Sequence, residues 1–158
     1  MRRYVHYGAP SYDPELFQAV NNGGYHNKPK GGLWLSPVDA EKGWDKWCQL
    51  AEHPIHNAGE PGTSFEIEIA DDVRWLKLAT IADVEGLPYE DVVLDEFELE
   101  FAIPNLTPTT RIDWVAIARD YDVVDVPAGS NRIIKLMMPA WDCDTTLVLN
   151  KEVIRPCL

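Results

Sequence analysis

The sequence predicts a mixed α+β fold in one domain spanning residues 1–158. Two observations carry that expectation. Strand-like and helix-like segments follow one another without the regular alternation that a doubly wound parallel sheet requires, and the second half of the chain is dominated by short strand patterns with one helix among them. The composition is that of a globular protein, 46% apolar and 25% charged, and a chain of this length can bury roughly 70% of its unfolded surface without a metal or a disulfide.

Taken in order, Tyr4-Val5-His6-Tyr7 reads as a short strand stopped by Gly8-Ala9-Pro10. Asp13-Pro14-Glu15 then offers a cap, a proline at the first helical position and an acid in the first turn, opening a brief helix through Leu16, Phe17 and Val20. Asn21 to Gly32 is rich in glycine and reads as a surface loop. Leu33-Trp34-Leu35 is the next strand, and Ser36-Pro37-Val38-Asp39 has the form of a capping box leading into a helix that carries Val38, Trp44, Trp47, Cys48 and Ala51. A polar loop from His53 to Gly62 precedes Phe65-Glu66-Ile67-Glu68-Ile69, which alternates cleanly, and Val73 to Leu78 continues the sheet.

Thr80 caps a short helical turn, and Val92 to Ile103 reads as an acidic, alternating strand or an extended excursion. Thr110-Arg111-Ile112-Asp113 is a second capping box, for a helix bearing Ile112, Val115, Ala116 and Arg119 and ending near Tyr121. Asp122 to Val126, Arg132 to Met138 and Thr145 to Leu149 read as three closing strands. The predicted core is Leu33, Leu35, Ile67, Ile69, Val115, Val123, Ile134 and Leu147.

A net charge of −12 and a pI near 4.6 argue against broad nucleic-acid binding, which needs clustered Lys and Arg to displace counterions. A basic protein partner suits that charge better. No run is long and apolar enough to span a bilayer, and Met-Arg-Arg is not followed by an apolar leader, so a cytoplasmic location is expected. Cys48, Cys143 and Cys157 are odd in number and widely spaced, which predicts free thiols rather than a disulfide framework or a zinc pattern. His53 and His56 have no cysteine beside them, and no metal site is expected. The sequence contains no P-loop, GxGxxG, HExxH or GxSxG signature.

Three segments can carry chemistry. His6 lies mid-strand between two tyrosines, although a strand histidine is more often a packed, hydrogen-bonded residue. In Lys28-Pro29-Lys30-Gly31-Gly32-Leu33-Trp34-Leu35-Ser36-Pro37, the paired glycines allow close approach, Trp34 offers a stacking face and Ser36 a hydroxyl. A turn followed by a helix cap accounts for the same residues. Trp141-Asp142-Cys143-Asp144-Thr145-Thr146 places two acids at the mouth of an apolar strand, able to act as a base, to bind a metal or to hold ribose hydroxyls. An Asx turn explains them equally.

In this order, His6 on the first strand, an aromatic residue and Ser36 on a strand after a glycine-marked loop, and Asp142-Cys143-Asp144 entering a late strand resemble the three-part site of the ADP-ribosyltransferase superfamily. That family places a His or Arg on an early strand, a Ser, Thr or Tyr on a second and an acid on a third. The resemblance implies an ADP-ribosyltransferase-like split mixed β-sheet with a few flanking helices and NAD in the cleft between its halves. It implies that His6, with Tyr7 and Gly32 nearby, contacts the nicotinamide ribose, that Trp34 flanks the nicotinamide, that Ser36 steadies the first strand, and that Asp144, or else Asp142, stabilises the positive charge developing on the ribose. The expected function is transfer of ADP-ribose from NAD to a protein or nucleic-acid acceptor, and small size and acidity suit a phage or bacterial-conflict protein.

Two other functions compete. One is a non-enzymatic acidic inhibitor of anti-defence or anti-CRISPR type, in which Asp91, Asp95, Glu96, Glu98 and Glu100 imitate phosphates toward a basic groove. The other is an RNA phosphotransferase relative on the same core, which would need a basic RNA path that this sequence lacks.

Overall fold

Period-two alternation decides most of the architecture. The computed structural model describes residues 2–23, 27–50, 64–103 and 109–157. Its strands are β1 (Arg3–Tyr7), β2 (Leu33–Pro37), β3 (Ser64–Ile69), β4 (Trp75–Lys77), β5 (Tyr89–Asp91), β6 (Thr110–Ile112), β7 (Val123–Pro127), β8 (Asp144–Val148) and β9 (Ile154–Pro156). The helices are α1 (Trp44–Leu50), α2 (Ile81–Glu85), α3 (Glu96–Glu100), α4 (Trp114–Asp120) and α5 (Arg132–Met137). The result is a mixed α+β fold with a seven-stranded sheet, order β4-β7-β8-β2-β1-β3-β9, and a separate β5-β6 pair. Among the described strands, only β4 and β7 pair in parallel. No helix among the described residues is long and apolar enough to cross a membrane.

Both faces of the large sheet are covered. Val124, Val126 and Leu147 point to one face, where they meet Trp114, Trp141, Ile134 and Met138. Val123 and Val148, their immediate neighbours in sequence, point to the other and pack with Tyr4, Leu35, Ile67 and Ile69. Burial on both faces calls for consecutive apolar residues, which β7 supplies in Val123-Val124 and β8 in Leu147-Val148.

Where the elements differ from expectation, the reasons are local. The run Arg132–Met138 is a helix rather than a strand. Asn131 caps it by accepting from the N–H groups of Ile133 and Ile134, and Ile134 and Met138, four apart, are buried together. The stretch Val92–Ile103 holds α3 rather than an extended strand, because Asp95 and Glu98 form a reciprocal capping box and Phe97 and Phe101 meet with ring centroids 4.9 Å apart.

Thr110 does not cap α4. Residues Thr110–Ile112 pair with β5, and Asp113 is the cap. With the helix starting at Trp114, Trp114 and Ile117 turn inward and Val115 is 39% exposed, which removes Val115 from the core. The other predicted core positions are buried. The first helix shrinks to a 3₁₀ turn, Pro14–Leu16, since Phe17 is already extended. Ser36 and Pro37 belong to β2, and the following helix begins only at Trp44. The predicted loop from His53 to Gly62, with both of its histidines, lies outside the described residues.

One buried charge ties the α4 end of the sheet together. Asp122, 6% exposed, accepts through Oδ2 from the backbone N–H and Nε of Arg74 and through Oδ1 from Arg74 Nη2 and Asn150 Nδ2. Its main-chain carbonyl accepts from Leu149 and Asn150. The hydrogen bonds from Arg74, aided by Asn150, hold this carboxyl well below its ordinary value of 3.8 despite its burial. A depressed folded value means that the stabilisation is complete above the unfolded pKa and fades as pH falls below it. Asp122→Ala is expected to lose about 2–3 kcal/mol at neutral pH and to lose less stability than wild type on acidification, measured by urea unfolding down to about pH 3.

Candidate functional site

The strand β2 does not pair evenly on its two edges. Leu33, Trp34 and Leu35 pair with Val148, Leu147 and Thr146 of β8, whereas β1 pairs with only the last two residues, Val5 with Ser36 and Tyr4 with Pro37. The N–H of Val38 donates to the carbonyl of Arg3, so Val38, Ser36 and Trp34 turn their backbone groups toward β1 and Pro37 turns toward β8. Proline has no N–H to give, and the β8 ladder stops beside it. On the opposite edge, His6 and Tyr7 continue with Phe65 and Ser64 of β3 but have no partner in β2.

A cleft of about 220 Å3 opens where β1 and β2 part. His6, Tyr7, Trp34, Ser36 and Asp142 all line it, joined by Lys28, Trp44, Cys143 and Thr145. The sequence therefore singled out residues from three separate segments that the fold brings to one place.

His6 spans the parting. Its Nδ1 lies 2.8 Å from the carbonyl oxygen of Trp34, which can only accept, so Nδ1 carries the proton. In the neutral ring, Nε2 is then an acceptor. The ring packs on Phe65, centroids 4.9 Å apart, which fixes its plane.

The floor is aromatic. Trp34 and Trp141 lie with ring centroids 4.8 Å apart, and Trp114 backs Trp141 at 5.7 Å. Lys28 Nζ stands 5.2 Å from the Trp34 ring centroid and 5.9 Å from that of Trp141. Trp44, stacked on Trp47 at 5.1 Å, closes another side. Cys143 is buried below, and burial pushes its thiol pKa up, with Lys28 opposing the rise and Asp142 adding to it.

The remaining predicted residues have other work. Asp144 is not among the cleft-lining residues; its Oδ1 accepts from the backbone N–H of Ser130 at 2.8 Å and from Ser130 Oγ at 2.9 Å. Gly32 also lies off the cleft, with φ of 69°, where an added Cβ would stand 2.6 Å from Leu147 Cδ1 and 2.9 Å from the Val148 carbonyl. Its smallness serves the close approach of β2 and β8. Ser36, 3% exposed, accepts from the N–H of Trp44 and so caps α1 from the neighbouring strand. Asp142 is half-buried, and its carboxylate makes no hydrogen bond or ion pair with the other described residues. Lys28, Cys143 and Thr145 fall within the predicted segments but were given no role there, and Trp44 was expected only as a helix residue. Among the described residues no group of His, Cys, Asp and Glu is placed to hold a metal.

Comparisons with protein-family models, curated proteins and solved structures find no match to this chain.

Because Ser36 satisfies an otherwise orphaned N–H at the start of α1, Ser36→Ala is expected to cost about 1 kcal/mol of stability, checked by urea unfolding of the two proteins side by side.

Proposed function

We propose that this chain is an ADP-ribosyltransferase-like protein that binds NAD in the cleft between β1 and β2 and transfers ADP-ribose to a protein or nucleic-acid acceptor. The observation that carries the reading is the convergence of His6 from β1, Trp34 from β2 and Asp142 from the turn before β8 on one cavity. A cavity of about 220 Å3 is smaller than the ~300–1,000 Å3 of sites that enclose a drug-sized ligand. It suits the nicotinamide and its ribose, with the rest of the dinucleotide along the open mouth.

The roles follow from the groups left free. Nε2 of His6 accepts a ribose hydroxyl, and the indole of Trp34 flanks the nicotinamide. As the nicotinamide–ribose bond breaks, its electron pair leaves with the neutral nicotinamide and positive charge builds on the ribose carbon. The Asp142 carboxylate stabilises that charge from a half-buried position, where it counts for more than in bulk solvent. The acceptor then bonds to the ribose carbon and releases a proton. Of the two acids flanking Cys143, Asp142 takes this part, because Asp144 is already bonded to Ser130.

NAD binding by calorimetry, with nicotinamide release followed in parallel, tests the reading. Wild type is expected to bind NAD and release nicotinamide, Asp142→Ala to lose at least about a hundredfold in release rate, and Asp144→Ala to lose much less. Absence of binding at millimolar NAD would end it.

A second reading has its own support. Helix α3 carries Glu96, Glu98 and Glu100 beside exposed Phe97, Leu99 and Phe101, and contributes no buried residue. An acidic surface with apolar side chains suits an inhibitor that covers a basic groove, although Asp95 and Glu98 are partly engaged in capping the helix. Replacing Glu96 and Glu100 by Gln is expected to weaken such binding and its salt dependence while leaving the Asp142→Ala protein fully inhibitory, as read in pull-downs across a salt series.

A further inference from the structure

The cleft contains one positively charged side chain, and the chain around it is held in place on both sides. Lys28 is the only lysine or arginine among the described residues lining the cavity. The indole N–H of Trp141 donates to the carbonyl of Asn27 at 3.2 Å, and that of Trp34 donates to the carbonyl of Gly31 at 3.0 Å. Each tryptophan thus fastens one end of the short segment that carries Lys28, and both present their ring faces to its ammonium.

Two further constraints make this segment a built feature. Gly31, with φ of 80°, lies so close to the preceding chain that a Cβ would stand 2.4 Å from the carbonyl of Ala19. Lys30 and Asn21 exchange backbone hydrogen bonds, N–H to carbonyl in both directions. The loop's path is fixed by backbone hydrogen bonds and by the two indole N–H bonds, none of which uses the charge of Lys28.

Among the described residues, no carboxylate pairs with that charge. The protein has 26 acidic residues and only 14 Lys and Arg, yet Lys28 forms no ion pair with any described residue. Asp142 lines the same cavity without closing on it. An ammonium kept over two indole faces, preordered and without an anionic partner among the described residues, is poised to meet an anion brought by a ligand. The apolar stem can remain on the rings while Nζ turns toward that anion.

We propose that Lys28 is the phosphate anchor of the cleft, binding the diphosphate of the dinucleotide while Asp142 faces its ribose. This rests on the NAD reading above and adds a polarity to it: the cleft carries its cation and its free carboxylate as separate groups, matching a ligand whose anionic diphosphate and charge-developing ribose are likewise separate. The contact is with phosphate oxygens, so a ligand without phosphate gains nothing from it.

Calorimetric titration of the full chain with NAD, ADP-ribose and nicotinamide riboside separates the two claims. Lys28→Met keeps the apolar stem over the indoles and removes the charge. It is expected to weaken NAD and ADP-ribose by about tenfold to a hundredfold and to leave nicotinamide riboside within about twofold of wild type. Lys28→Arg is expected to keep most of the NAD affinity, and thermal melts that match wild type establish that both variants are folded. Equal NAD affinity in wild type and Lys28→Met overturns the phosphate anchor and leaves the NAD reading standing. Equal weakening of all three ligands also overturns it, since the loss is then not through phosphate. Absence of NAD binding by wild type overturns both.

Discussion

The structure depends on β2 changing partners along its length. A strand inside a regular antiparallel sheet is paired on both edges throughout. Here Leu33–Leu35 are paired with β8, and only Ser36 and Pro37 are paired with β1. The exchange has identifiable causes in single residues. Pro37 faces β8 without an N–H to offer, so that ladder ends. The carbonyl of Trp34 faces β1 and receives the ring N–H of His6, so a side chain stands where a backbone donor would otherwise be. A buried carbonyl left unpaired is costly, and the imidazole allows β1 and β2 to separate without that cost. The cleft is the space this separation leaves.

The aromatic residues then turn the space into a surface with defined chemistry. Trp34, Trp141 and Trp114 form a row from the cleft into the core, and the N–H groups of the first two reach back to the loop that crosses above them. The same rings therefore fill the core, fix the loop and offer stacking faces. A leucine in place of either would supply the apolar volume alone.

Much of the sheet was legible because burial on alternating positions leaves a period of two in the sequence, as Phe65-Glu66-Ile67-Glu68-Ile69 shows. Legibility failed where short apolar runs fit either period. Arg132–Met138 has Ile, Ile, Leu, Met and Met within seven positions, and only its asparagine cap and the burial of Ile134 and Met138 on one side identify a helix. Val115 failed because the cap is Asp113 and not Thr110, so that Trp114 and Ile117 face inward in its place. Ser36 is an instructive mixed outcome. Its hydroxyl does cap a helix, but the helix begins eight residues later, after the chain has turned back toward β2. Sequence spacing reveals a capping residue and not the tertiary path that delivers the helix to it.

At the cleft, His6, Tyr7, Trp34 and Ser36 were legible because strand residues project from a scaffold whose order is set by pairing. Which of Asp142 and Asp144 is held by an internal hydrogen bond was not, since that turns on Ser130, fourteen positions away from Asp144. Lys28 was hidden for a related reason: nothing in a Gly- and Pro-marked loop says which side chain points inward. The general rule separating them is one of prior engagement. A polar group already satisfied within the fold must lose those bonds before it can serve a ligand, and in a half-buried setting each is worth about 0.5–3 kcal/mol depending on charge. Ser36 and Asp144 are engaged in that way. Nε2 of His6, the carboxylate of Asp142 and the ammonium of Lys28 line the same cavity with no such bond to another described residue, so a ligand that meets all three gains from each contact without first undoing hydrogen bonds or ion pairs among those residues.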